Sequence, residues 1–123
     1  MSVKKVLPAV LVLLVVVSGV VRSRQVDRRD FWALNSTGRV VREFYVSPHE
    51  STRWGHDVLG RATLPNGVGT IVTFSPEAQT SCVFDFKLVY EDGSSDTYTQ
   101  GRNVCRLDAI LFTPSESYAL SRP

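Results

Sequence analysis

Along residues 82–90 (CVFDFKLVY) apolar and polar side chains alternate, with Cys82, Phe84, Phe86, Leu88 and Tyr90 on one face and Asp85 and Lys87 on the other. A period of two marks a strand with one face in a core. Asp92-Gly93 follows and suits the positive backbone angles of a type I′ turn, so the chain should reverse there into a strand over 95–99. Gly101 breaks that return strand. Residues 103–112 (NVCRLDAILF) then supply a last strand, with Cys105, Leu107, Ala109 and Leu111 on a common face. Both cysteines share the parity of their core neighbours, which predicts a buried Cys82–Cys105 bridge between two strands wherever the Cα separation permits it.

Upstream, residues 30–34 (DFWAL) read as a short strand ending in the turn formers Asn35-Ser36-Thr37-Gly38. Residues 39–46 (RVVREFYV) are β-branched and aromatic, so the two segments predict a first hairpin, ended by Ser47-Pro48. Residues 49–62 (HESTRWGHDVLGRA) are polar, contain Gly55 and Gly60, and show neither a two-residue nor a 3.6-residue period. This is the longest loop. Leu64-Pro65-Asn66-Gly67 marks another turn before a short strand over 70–74 (TIVTF), and the polar tail 113–123 is expected to fray. The pattern predicts an all-β domain over 30–112, a small antiparallel β-sandwich or partly open barrel with one disulfide.

The start of the chain follows another rule. Lys4 and Lys5 precede an almost unbroken apolar run over 6–21, interrupted by Pro8 and loosened by Ser18 and Gly19. A charged n-region before an h-region predicts an N-terminal signal helix over 1–23, cleaved after Gly19 or Ser23. The run is shorter than the roughly 20 apolar residues of a comfortable membrane span, but an uncleaved anchor is the alternative. With no polar face, the run does not suit a core helix in so small a domain. Arg22, Arg24, Arg28 and Arg29 make 24–29 a basic linker, and positive charge on that side of the run works against translocation. No Arg-Arg pair precedes the run, which favours a general secretory route.

Loss of Lys4 and Lys5 leaves twelve basic residues against twelve acidic ones. A neutral domain lacks the basic surface that nucleic acid requires. Two cysteines in an exported chain of this size most simply pair, and a 24-residue closed loop contributes roughly 3.5 kcal/mol in the chain-entropy model. The location implied is periplasmic or secreted.

Catalytic chemistry is hard to place. Ser47 beside His49 lacks the elbow and positioned base of a serine nucleophile, and Glu91 and Asp92 flank a tight turn. No glycine-rich phosphate loop is present, and no cofactor is expected. The loop over 47–62 is where binding residues would collect, with Trp54, His56 and Asp57 as the candidates. An exposed Trp54 would offer a flat surface to a sugar or an apolar partner; a folded-back Trp54 would instead cap the sandwich. His49, Glu50, His56 and Asp57 form a zinc-like ligand set by type, though not by helical spacing, so a small metal-assisted hydrolase using His49, His56 and Asp57 is the alternative.

Asn35-Ser36-Thr37-Gly38, Phe44-Tyr45-Val46-Ser47-Pro48, Trp54-Gly55-His56-Asp57-Val58-Leu59-Gly60, Leu64-Pro65-Asn66-Gly67, the 82–90 strand with Asp92-Gly93, and Asn103-Val104-Cys105 together carry a resemblance. The chain resembles a family of small exported bacterial proteins of unknown activity, whose members carry the labels twin-arginine-signal protein or argininosuccinate lyase. The resemblance implies export and a small domain of unassigned role. The missing arginine pair departs from the twin-arginine members, and nothing matches the catalytic loop of the lyase, a much larger helical tetramer. The function expected is a non-enzymatic binding or structural module of the cell envelope, recognising a protein or envelope ligand through the 47–62 loop. A membrane-tethered structural protein is a further alternative, with membrane contact only through the N-terminal segment.

Overall fold

The computed structural model describes residues 27–75 and 81–122; the signal or anchor segment expected over 1–23 and the first linker residues lie outside them. Seven strands follow one another as β1 (Phe31–Asn35), β2 (Val41–Pro48), β3 (Gly69–Val72), β4 (Val83–Tyr90), β5 (Ser95–Asn103), β6 (Leu107–Thr113) and β7 (Glu116–Ser121). They form two sheets, ordered β3-β1-β6-β7 and β2-β4-β5. The architecture is all-β, a sandwich and not a closed barrel. Every neighbouring pair is antiparallel except β1 and β6, which run parallel with Trp32 opposite Ala109.

The core is aromatic. Phe31 and Phe112 come from the four-stranded sheet, Phe44 and Phe86 from the three-stranded one, and none is more than 1% exposed. Phe86 meets Phe31 edge-on at 5.6 Å and Phe112 at 5.4 Å, while Phe44 meets Phe112 at 5.5 Å. These are the edge-to-face geometries that the ring quadrupole favours, and they join one sheet to the other. The face predicted for 84–90 is buried as expected.

The hairpin predicted between 30–34 and 39–46 does not form: β1 and β2 lie in different sheets. The crossing between them is organised by Asn35, whose side chain is 2% exposed. Its amide nitrogen donates to the carbonyls of Arg39 (2.8 Å) and Leu64 (2.9 Å). Its amide oxygen accepts from the Thr37 N–H (3.0 Å) and Thr37 hydroxyl (2.7 Å). All four bonding positions of a buried amide are filled. A residue read as a turn former thus pins three chain segments.

Other boundaries differ for local reasons. The β4–β5 reversal has positive φ only at Gly93 (87°), and Tyr90 pairs with Ser94 across three residues, so it is a three-residue loop with a left-handed glycine in place of the type I′ turn. Residues 103–107 contain a 3₁₀ turn (Val104–Arg106) capped by the Asn103 side chain, so Cys105 stands on that turn and not on a strand. The Cys82–Cys105 bridge is present, with Cα atoms 5.4 Å apart, but both cysteines are half-buried and tie the start of β4 to this turn. In β6 a bulge between Leu107 and Ala109 switches the parity. Leu107, Ile110 and Phe112 therefore fill the core, while Ala109 and Leu111 turn to the outer face with the neighbours they pair with.

The stretch read as a frayed tail holds β7. Pro114 and Ser115 (φ 64°) reverse the chain, Tyr98 donates its hydroxyl to the Thr113 carbonyl at 2.7 Å, and Arg102 binds Ser117, sealing the β5 and β7 edges together. Nor is residue 29 a solvated linker. Arg29 is buried, chelates Asp27, donates to the Ser75 carbonyl at 3.0 Å and stacks 5.0 Å from the Phe74 ring centroid. Hydrogen bonds from Arg29 hold the Asp27 carboxyl down at about 2, so its stabilising contribution is complete above its ordinary value of 3.8 and is lost as pH falls through about 2.

Replacing Asn35 with Ala takes one donor each from the Arg39 and Leu64 carbonyls and the acceptor from the buried Thr37 N–H and hydroxyl, and should cost about 3 kcal/mol of stability in urea unfolding, far above the roughly 0.5 kcal/mol of an ordinary surface change. Reduction of the disulfide should lower stability by about 3.5 kcal/mol, read by unfolding with and without reductant.

Candidate functional site

The 47–62 loop runs back along β2 and satisfies that strand's outer edge. Asp57 Oδ1 accepts from the Phe44 N–H (2.8 Å) and the Leu59 N–H (3.0 Å), and the Val58 N–H donates to the Phe44 carbonyl (2.8 Å). Covering an edge strand in this way removes a template for unwanted pairing. Upstream, the Ser47 hydroxyl donates to the Arg53 carbonyl at 2.6 Å, and the Ser51 N–H to the Pro48 carbonyl at 2.9 Å. The loop backbone is held at both ends by its own side chains.

A second anchor was not visible in the sequence. Asp85 lies on the polar side of the alternation in β4, yet it is only 6% exposed. His49 Nδ1 sits 2.8 Å from Asp85 Oδ1, and the Glu50 N–H donates to Asp85 Oδ2 at 3.3 Å. The space for the imidazole comes from an irregularity in β5, where the three residues 84–86 of β4 face the five residues 98–102 of β5. Gly101 lies in that bulge with φ 77°, and a Cβ there would stand 3.0 Å from His49 Nδ1 and 3.0 Å from Val83 Cγ1. The hydrogen bond to Asp85 raises the His49 pKa above its ordinary 6.5, more than burial lowers it. The stabilisation from this pair is therefore full below pH 6.5 and fades as pH rises through the folded-state value of His49.

Between the end of β2 and the fixed loop lies a hollow of about 320 Å³ lined by Val46, Ser47, Pro48, Arg53, Trp54 and His56 among others. A smaller hollow of about 200 Å³ shares Val46 and His56 with it and has Val58, Val72, Phe74 and Phe84 on its walls beside Thr73 and Ser75. His56 stands between the two. Trp54 is half-buried and outside the aromatic core, so it neither caps the sandwich fully nor projects freely. Arg53 and His56 are exposed, and no ion pair involves either among the described residues.

Of the three candidates, Trp54 and His56 come together at the hollow. Asp57 does not present a free carboxylate, since one of its oxygens accepts two backbone N–H groups. His49 is turned to Asp85. The set His49, His56 and Asp57 is not gathered, and among the described residues no three His, Cys, Asp or Glu side chains come together to hold a metal ion. No family model matches this chain, and neither a curated protein nor a solved structure does.

Asp85→Asn should return the His49 pKa toward about 6.5, followed by the pH dependence of its imidazole proton resonances. An unchanged titration would show that the pair does not form in solution.

Proposed function

We propose that this domain is an exported, non-enzymatic binding module of the cell envelope that captures its ligand in the hollow beside the 47–62 loop. The observation that carries this reading is the combination of a rigidly tied loop with functional groups left unused. Ser47, Asp57 and Asp85 hold the loop backbone, while the side chains of Trp54, Arg53 and His56 line the opening and make no hydrogen bond or ion pair among the described residues. A loop ordered before binding loses little conformational entropy when a ligand arrives. A half-buried indole beside a cation offers an apolar face for a sugar ring or an aromatic side chain, and donors for a carboxylate or hydroxyl at its edge.

Export is supported by the disulfide, which persists in oxidising compartments and is rare in reducing ones. Among the described residues no helix is long and apolar enough to cross a membrane.

Immobilised protein should retain a specific component of a cell-envelope extract, and Trp54→Ala or His56→Ala should each reduce that retention at least tenfold. Both variants should unfold within about 1 kcal/mol of the parent, since neither side chain belongs to the core. Equal retention by parent and variants would move the site elsewhere, and an unfolded Trp54→Ala protein would make Trp54 a packing residue.

A further inference from the structure

The outer face of the four-stranded sheet carries a second surface, independent of the loop. Strand register places Ile71 opposite Trp32, Trp32 opposite Ala109, and Ala109 opposite Leu120, so one unbroken apolar row crosses all four strands. The next row runs from Gly69 through Leu34 and Leu111 to Tyr118. Trp32 and Tyr118 are 50% exposed, Leu120 49% and Ile71 43%, in a fold whose other sheet leaves no large apolar side chain comparably open. Gly69 keeps the face flat: a Cβ there would stand 2.6 Å from Leu34 Cδ2, so the leucine lies down over the glycine.

The charges around this face are segregated. At the end where the chain enters β1, the Arg122 N–H donates to the Arg106 carbonyl at 3.2 Å and its guanidinium to the Arg28 carbonyl at 2.6 Å, which gathers three exposed arginines. The acids there are engaged: Asp27 by Arg29, Asp30 by the Phe74 N–H, Asp108 by Arg122. Arg28 and Arg106 make no ion pair among the described residues. Glu116 stands at the far end of the strands, opposite Thr113. Upstream, Arg22 and Arg24 separate this end from the apolar run that closes at Val21, and the six residues from there to Asp27 reach at most about 20 Å.

We propose that this sheet face is a membrane-contact surface, which seats the domain on a bilayer containing anionic phospholipid. Trp and Tyr with aliphatic neighbours are the side chains that favour the bilayer interface, and arginines at one rim complement acidic headgroups. Size favours the same occupant. Four strands about 4.8 Å apart and two rows of outward residues give an apolar strip of about 300 Å², well short of the roughly 800 Å² per partner in a standard protein interface. A shallow insertion beside a basic rim needs no more.

The test uses the full chain and vesicles of equimolar phosphatidylglycerol and phosphatidylcholine, with pure phosphatidylcholine as reference. Binding to the mixed vesicles should exceed the reference at least tenfold and fall with salt, and Trp32 emission in a Trp54→Phe background should shift to the blue. Trp32→Ser with Leu120→Ser should lower partitioning at least tenfold, and Arg28→Glu with Arg106→Glu should remove the preference for phosphatidylglycerol. Arg28 and Arg106 are both exposed, which keeps the test decisive should the serine pair fail to fold. Unchanged binding in the arginine and serine variants would assign membrane contact to the N-terminal segment and overturn the proposal. A dimer in vesicle-free sedimentation that the serine pair dissolves would seat a second copy on the face and overturn it equally.

Discussion

One buried amide decides how the two sheets are joined. Asn35 ends β1 and satisfies the turn that carries the chain into the opposite sheet, while also holding the Leu64 carbonyl from the segment that leads into β3. No aliphatic side chain could do this, because the segments it joins bring backbone polar groups inside, where water does not reach them. The aromatic contacts among Phe31, Phe44, Phe86 and Phe112 depend on that crossing, since they require β1 and β2 to face each other and not to pair edge to edge. Hydrophobic burial supplies most of the driving force and the amide selects which topology receives it.

The parts of the structure legible from sequence are those set by period alone. Alternation over 84–90 marked β4 and its core face, the disulfide followed from two cysteines in an export-type chain, and the aperiodic 49–62 stretch marked the loop. What escaped reading depends on partners distant along the chain. The β6 bulge at Asp108 leaves no local trace, so Ala109 and Leu111 were given the wrong face. Strand β7 was missed because Pro114 and Ser115 read equally well as a tail, and only Tyr98 and Arg102 from β5 hold it down. Asp85 looked like a solvent-facing residue, because the bulge that makes room for His49 lies in another strand.

At the candidate site the same division appears. The loop's position follows from the sequence, and so does the choice of Trp54, His56 and Asp57 as its candidate residues. The sharing of work does not follow. Asp57, Ser47 and Asp85 are spent on backbone N–H and C=O groups or on His49, which leaves Arg53, Trp54 and His56 open to a visitor. A polar loop is thereby turned into a fixed wall, and a carboxylate that resembles a metal ligand in the sequence is an anchor in the fold.

The parallel pairing of β1 with β6 sets an order on the birth of this domain. Trp32 finds Ala109 only after nearly all of the chain exists, and β7 must still close the far edge. Contacts of such long sequence separation slow folding, since loop entropy must be surrendered before they form. The four-stranded sheet therefore has no complete intermediate while the chain is made from its N-terminus. A domain that completes this sheet only with its last strands stays uncommitted until synthesis is nearly over, and the Cys82–Cys105 crosslink, which joins the start of β4 to the turn before β6, closes within that same late stretch.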